Sequence, residues 1–256
     1  MPSGDKAMAK RLIACLDLTE LKDDCTAEDV DRLLARARTP AGNVAAVCVW
    51  PCFVRQSKTT LAGSGIKVAT VVNFPNGDEN IGPAERETVL AMADGADEID
   101  MVISWKKVRK DPAFVTRQVA RLKSAAGGRQ LKAILETGEL DDPALIRKAA
   151  MAAIEGGADF IKTSTGKVPV GARVEAVTIM AEVARDMSRG TALKPSGGMK
   201  TLADARAMLE AAEAVLGKGW ATPQTFRLGA SSLLDDLLAH AAGKPRAKKS
   251  AAAGSY

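Results

Sequence analysis

Histidine is almost missing from this 256-residue chain: there is one, His240. It falls near the end of the last helical pattern, far from any strand end, where a solvated imidazole suits the negative end of a helix. A Ser-His-Asp triad therefore lacks a base in the right place. A single histidine also excludes a His-rich zinc or iron centre. Aromatic residues are scarce, at 4%, with one tyrosine, Tyr256, as the last residue. Excess positive charge is small and local. Of 36 basic residues against 31 acidic ones, four (Lys244, Arg246, Lys248 and Lys249) lie in residues 243–256, which contain no acid. The rest of the chain is close to neutral, and with so few aromatics it has no nucleic-acid-binding signature. Residues 243–256 read as a flexible, solvated basic tail. No apolar run approaches the roughly 20 residues that span a bilayer. The polar start, residues 1–11, has no secretory apolar region, so a cytoplasmic protein without a membrane partner is expected. The four cysteines, Cys15, Cys25, Cys48 and Cys52, do not have the spacing of a zinc knuckle. They read as reduced, mostly buried, small hydrophobic residues.

What is present is a chain that is 46% hydrophobic and 26% charged, long enough for one large core. Strand candidates recur at 12–19, 45–51, 67–75, 98–104, 131–138, 160–166, 191–198 and 226–231. Most are β-branched or aliphatic runs bounded by Gly, Pro or Asn. Their nearly continuous apolar character suits parallel strands covered by helices. Between them lie helical patterns. Leu202, Ala205, Met208, Leu209, Ala212, Val215 and Leu216 form one apolar stripe, with Thr201 as N-cap and Asp204 at the positive end of the helix. Asp111-Pro112 and Asp142-Pro143 start helices; Gly127-Gly128 and Gly156-Gly157 stop them. Eight strand–helix units predict an α/β fold, a single-domain (β/α)8 TIM barrel over residues 1–242. Residues 1 to about 10 are expected to add a helix over the bottom of the barrel. An open doubly wound sheet fits less well, because no Gly-x-Gly-x-x-Gly turn follows the first strand.

Two lysines stand inside these apolar runs: Lys162 in Phe160-Ile161-Lys162-Thr163-Ser164-Thr165-Gly166, and Lys194 in Ala192-Leu193-Lys194-Pro195-Ser196-Gly197-Gly198. Lysine is almost never fully buried without a partner or a task. Desolvation or a second cation lowers a lysine pKa, and a free amine attacks carbonyls to form Schiff bases. Strand alternation sends Ile161 and Leu193 outward and both lysines inward. By the same rule Asp100 faces in between Ile99 and Met101, Asp17 between Leu16 and Leu18, and Lys132 beside Ala133. Buried ion pairs bring little net stability, and barrel enzymes place their chemistry at C-terminal strand ends. Asp17, Asp100, Lys162 and Lys194 therefore read as functional, with Lys132 a weaker candidate. Turns rich in glycine and hydroxyl groups follow strands six to eight: Thr165-Gly166-Lys167, Gly197-Gly198 and Ser231-Ser232 at a helix start. Such turns offer N–H donors to a phosphate.

These motifs closely resemble those of the deoxyribose-phosphate aldolase family of class I aldolases. The matching stretches are Leu16-Asp17-Leu18-Thr19, Val71 to Pro75, Gly95 to Asp100, Glu136-Thr137-Gly138, Gly157 to Gly166, Lys194 to Gly198 and Gly229 to Ser232. The resemblance implies reversible cleavage of 2-deoxy-D-ribose 5-phosphate to acetaldehyde and D-glyceraldehyde 3-phosphate, in deoxynucleoside catabolism, without metal or cofactor. It implies Lys162 as the Schiff-base nucleophile, Lys194 as the cation that depresses its pKa, and Asp100 as the proton-relay group paired with Lys194. It makes Tyr256 a candidate for assisting proton transfer. Asp17, Thr19, Cys48, Lys132, Thr165, Gly166, Lys167, Gly197, Gly198, Ser231 and Ser232 are expected around the substrate and its phosphate, with Cys48 close enough to meet unsaturated aldehydes. Ser196 stands where many relatives carry alanine. The expected partners are small phosphosugars and aldehydes, and a homodimer is compatible with the sequence.

Overall fold

The computed structural model describes residues 3–244. Eight parallel strands form a barrel: β1 (Leu16–Glu20), β2 (Ala46–Val49), β3 (Lys67–Val72), β4 (Glu98–Val102), β5 (Gln130–Ile134), β6 (Phe160–Lys162), β7 (Ala192–Lys194) and β8 (Leu228–Ala230). Consecutive strands are neighbours and β8 pairs with β1, Asp17 lying opposite Gly229. The last seam, between β7 and β8, is closed by two isolated bridges, Leu193 with Phe226 and Ser196 with Gly229. The (β/α)8 barrel expected from the strand–helix alternation is the fold observed.

Helices α1 (Ser3–Ala14), α2 (Ala27–Ala37), α3 (Val54–Thr60), α4 (Ile81–Ala93), α5 (Pro112–Ala125), α6 (Pro143–Glu155), α7 (Val174–Met187), α8 (Leu202–Leu216) and α9 (Leu233–Ala241) surround it. The punctuation read from sequence holds. Asp111 and Asp142 accept hydrogen bonds from the N–H groups of Phe114 and Ala144, and Thr201 with Asp204 forms a reciprocal capping box. Helices α5 and α6 stop before their Gly-Gly pairs. None of the described helices is long and apolar enough to cross a membrane.

Several boundaries differ. The apolar run 12–19 is split: Leu12 and Ile13 end α1, and β1 begins only at Leu16. Nothing in Leu-Ile-Ala-Cys-Leu punctuates that junction. The extra helix accordingly reaches Ala14. It packs on α8, α9 and the short hairpin Arg38–Thr39/Gly42–Asn43 leading into β2, at the end of the barrel where strands start. Arg11 bonds Glu213 and the Ala221 carbonyl, tying α1 to the end of α8. The strands are also shorter than their apolar runs, because the glycine turns at their ends belong to loops. Two cysteines, Cys15 and Cys48, are buried, but Cys25 is half-buried and Cys52 exposed, so the mostly buried reading fails for half of them. His240 is also not solvated: it is half-buried, 3.6 Å from Asp236, and its Nδ1 finds no partner among the described residues.

Alternation sorts the barrel into two compartments. Leu16, Leu18, Ile99, Met101, Leu131, Ala133, Ile161 and Leu193 join the apolar layer shared with the helices. The opposite faces of the same strands carry charge into the barrel interior.

Candidate active site

Lys162 and Lys194 are the last residues of β6 and β7 and stand side by side in register. Both point into the barrel, where Lys162 Nζ lies 2.8 Å and Lys194 Nζ 2.7 Å from the same oxygen, Oδ2 of Asp100 on β4. The other oxygen of Asp100 accepts from Lys132 Nζ at 2.8 Å. Asp17 on β1 lies 2.5 Å from Lys194 Nζ. Asp17, Asp100, Lys132 and Lys194 have no solvent-exposed surface, and Lys162 has 2%. Asp17, Asp100 and Lys132 sit inside their strands rather than at the C-terminal ends expected. The inward charges thus form two tiers, with Lys162 and Lys194 uppermost.

Two further residues complete the lower tier. Arg227, just before β8, donates to Asp17 Oδ1 at 2.7 Å and to Glu98 Oε1 at 2.8 Å. Glu98, the first residue of β4, also lies 2.6 Å from Lys132 Nζ. The guanidinium of Arg227 and the ammonium of Lys132 flank the Phe160 ring at 5.5 and 5.9 Å. Four cations, Lys132, Lys162, Lys194 and Arg227, therefore face three carboxylates, Asp17, Glu98 and Asp100, away from water.

One proton too many is costly in such a place. Burial lowers the pKa of Lys162; Asp100 opposes this, and Lys194 adds to it. Burial also acts against charged Lys194, but Asp100 and Asp17 overrule it and raise that pKa. Lys132 likewise is raised by Asp100 and Glu98 against the cost of burial. Burial works against the Asp100 anion, but its three lysines hold its pKa well below the usual carboxylate range. Chemically identical side chains are thus separated: Lys194 and Lys132 remain ammonium groups, while Lys162 is the one biased toward free amine. The arrangement can add a carbonyl to Lys162 beside a fixed proton donor.

Above the lysines opens a cavity of about 540 Å³. Thr19, Thr165, Gly166, Lys167, Gly197, Gly198, Ser231 and Ser232 line it, as do Arg36, Lys200 and Ser196. Lys162 and Lys194 do not themselves line it. Ser196 and Gly229 form the partition, since a Cβ on Gly229 would meet Ser196 Oγ at 2.5 Å and Lys194 Cε at 3.2 Å. Ser231 and Ser232 lie at the start of α9, where Ser232 makes no side-chain cap bond. Three expected phosphate contacts already have partners: Gly197, Thr165 and Lys167, whose ammonium lies 2.5 Å from Asp23. The Gly197 N–H bonds the Gly229 carbonyl at 3.2 Å. The Thr165 hydroxyl donates to buried Glu136 at 2.6 Å and accepts from the Lys167 N–H at 3.0 Å. Cys48 faces the charged interior but is fully buried, and burial pushes its thiol up to about 11. Tyr256 lies outside the described residues.

The profile of the DeoC/LacD family aldolases matches residues 11–239. This chain belongs to that family. The aldolase is 48% identical over 239 residues to a deoxyribose-phosphate aldolase of Agrobacterium fabrum, covering 92% of each chain. Among solved structures it resembles one assigned as a deoxyribose-phosphate aldolase from Toxoplasma gondii, with 28% identity and a TM-score of 0.86 over 94% of this chain and 96% of that one. A similarly assigned structure from Coccidioides immitis gives 29% identity and a TM-score of 0.80, over 90% and 85% of the respective chains. The aldolase is therefore a carbon–carbon lyase. Its sequence reading missed Glu98, Arg227 and Glu136. Glu98 was open to the alternation rule, being two residues before Asp100 on the same face. Arg227 precedes a three-residue strand, too short to show a period, and Glu136 lies in a loop.

Proposed function

We propose that this enzyme reversibly cleaves 2-deoxy-D-ribose 5-phosphate to D-glyceraldehyde 3-phosphate and acetaldehyde through a Schiff base on Lys162, as part of cytoplasmic deoxyribonucleoside breakdown. The substrate follows the designation of the Agrobacterium fabrum relative. The observation that carries the mechanism is the shared Asp100 oxygen: two lysines compete for one carboxylate, and Lys194 has Asp17 as well. Lys162 is the lysine left with the weaker claim to a proton.

The chemistry then runs without a metal or cofactor. The Lys162 amine adds to the C1 aldehyde of the open-chain sugar and forms a C–N bond. Lys194, held as an ammonium, protonates the departing hydroxyl, and loss of water gives an iminium. A base takes the C3 hydroxyl proton, the C2–C3 bond breaks, and its electrons flow into the iminium to give an enamine. Lys194, left as a free amine once it has protonated the departing hydroxyl, or Asp100 acting through a water, serves as that base, and the proton it takes is the one later returned at C2. Glyceraldehyde 3-phosphate leaves; C2 is protonated, and hydrolysis releases acetaldehyde and free Lys162. Tyr256 is assigned to that C2 protonation. Gly166, Lys167, Gly198, Ser231 and Ser232 would hold the phosphate beside the α9 N-terminus. Thr19 lines the same space, with Thr165 and Gly197 shaping its loops.

Adding deoxyribose 5-phosphate, then borohydride, and mapping peptides by mass spectrometry tests this. A two-carbon or sugar-phosphate adduct on Lys162 is expected. No adduct on a folded protein would reject the Schiff base, and one on Lys194 alone would exchange the two roles.

A further inference from the structure

The lower tier of charge, Arg227 with Glu98, touches neither the cavity nor Lys162. Yet it closes a continuous chain of contacts to the nucleophile: Glu98 to Lys132 at 2.6 Å, Lys132 to Asp100 at 2.8 Å, Asp100 to Lys162 at 2.8 Å. A second arm runs from Arg227 through Asp17 to Lys194, at 2.7 and 2.5 Å. We propose that Arg227 and Glu98 are a pair of positioning residues that set the charge balance of the barrel interior and so decide how much of Lys162 is free amine. This inference rests on the Schiff-base reading and extends it to a pair of residues that never meet the substrate.

The physical basis is the absence of water. Between exposed groups, charges this far apart would be screened. Here Arg227 and Glu98 are 5% and 2% exposed, and every group between them and Lys162 is buried. The groups facing the interior are Asp17 from β1, Cys48 from β2, Glu98 and Asp100 from β4, Lys132 from β5, Lys194 from β7 and Arg227 before β8, with Glu136 at the rim. Cys48 is a neutral thiol near pH 7, so the balance is three carboxylates against the cations, with Glu136 adding to the negative side when ionised. Removing Glu98 makes the interior more positive and disfavours a proton on Lys162. Removing Arg227 makes it more negative and favours that proton. A pair that served only to hold the fold would not shift Lys162 in opposite directions.

The test is the pH dependence of the initial rate of adduct formation on Lys162, trapped with cyanoborohydride in the presence of deoxyribose 5-phosphate, in the full chain. For Glu98→Gln, which keeps the shape of the side chain, the midpoint of the acidic limb is expected to fall by about one pH unit, a roughly tenfold gain in free amine on that limb. For Arg227→Gln it is expected to rise by about as much. The double variant, with the net charge restored, is expected to return toward the parent. Arg227→Lys, which keeps the charge, is expected to stay within a few tenths of a unit. Unchanged midpoints in the singles, or shifts of the same sign, would overturn the proposal. If Arg227→Gln fails to fold, the sign of the Glu98→Gln shift alone decides. Absence of any adduct in the parent protein would instead count against the Schiff base itself, so the two failures are told apart.

Discussion

Two lysines of the same chemistry, side by side on neighbouring strands, are pushed in opposite directions by burial and by what each shares. Lys194 divides two carboxylates with its neighbours, and Lys162 has part of one. Replacing Lys194 by leucine removes the competitor for the Oδ2 oxygen of Asp100, so Lys162 becomes a better-paired ammonium. Adduct formation at pH 7.5 should then drop by about a hundredfold and recover in part as pH rises, because deprotonation of Lys162 moves to higher pH. A hundredfold loss that does not respond to pH would mean that Lys194 acts only as a proton donor. Cys48 supplies a second contrast. It is fully buried and its thiol is pushed up to about 11, whereas Cys52 is exposed. Since the thiolate is the reactive form, iodoacetamide at pH 7.5 should label Cys52 well before Cys48 by peptide mass mapping. Comparable rates would show that the interior opens readily. The inward aspartates and lysines could be read from single-residue alternation. Arg227 could not, since its partners Asp17 and Glu98 are 210 and 129 residues away.

At the level of elements, local punctuation was the most legible feature. Asp-Pro starts, Gly-Gly stops and the Thr201–Asp204 box act through bonds within one helical turn, so a window of sequence contains them whole. The α1–β1 junction escaped because both elements are apolar at their meeting point, and length was misread where no Gly or Pro intervened. The loops after β6 and β7 show the opposite problem. Their glycines and hydroxyls marked the cavity, but which N–H remained free depended on bonds to distant segments, such as Gly197 to Gly229 of β8. Strand β8 is where such contacts matter most. A methyl group at Gly229 would press on Ser196 Oγ and Lys194 Cε. Gly229→Ala should therefore lower kcat by about tenfold or more, with a modest change in thermal midpoint. Its backbone angle is not in the left-handed region, so strain is not the cause. Parent-like kcat would show that Lys194 has room to move aside.

At the scale of the whole molecule, the barrel carries a sealed electrostatic interior that brings little net stability by itself, since each buried ion loses its hydration. Its pH dependence in the acid range is carried by Asp17 and Asp100, with Glu136, whose pKa burial raises, acting in the opposite direction. Burial opposes the Asp17 and Asp100 anions, but Lys194 and Arg227 around Asp17, and the three lysines around Asp100, hold both pKa values down. Their stabilisation is complete above the unfolded value near 4 and is lost as pH falls, because the unfolded chain then binds more protons. Lys132 and Lys194, raised in the fold, keep their contribution until pH passes the unfolded value near 10.4 and lose it above. Lys162 runs the other way, costing stability while charged and ceasing to do so at high pH. Urea midpoints should thus be nearly flat around neutrality and decline below about pH 4. A decline beginning near pH 6 would point to a different titrating group. The closing seam has a consequence in time as well as in space. Asp17 leaves the ribosome well before Arg227, one of its two neutralising cations, which lies 210 residues further along the chain. At ordinary elongation rates that is about 10 to 40 seconds of synthesis. Until then β1 lacks one of its two neighbouring strands, and the barrel cannot close. On the Schiff-base reading, the Lys162 amine acquires its chemistry only once β8 has been made and closes the barrel.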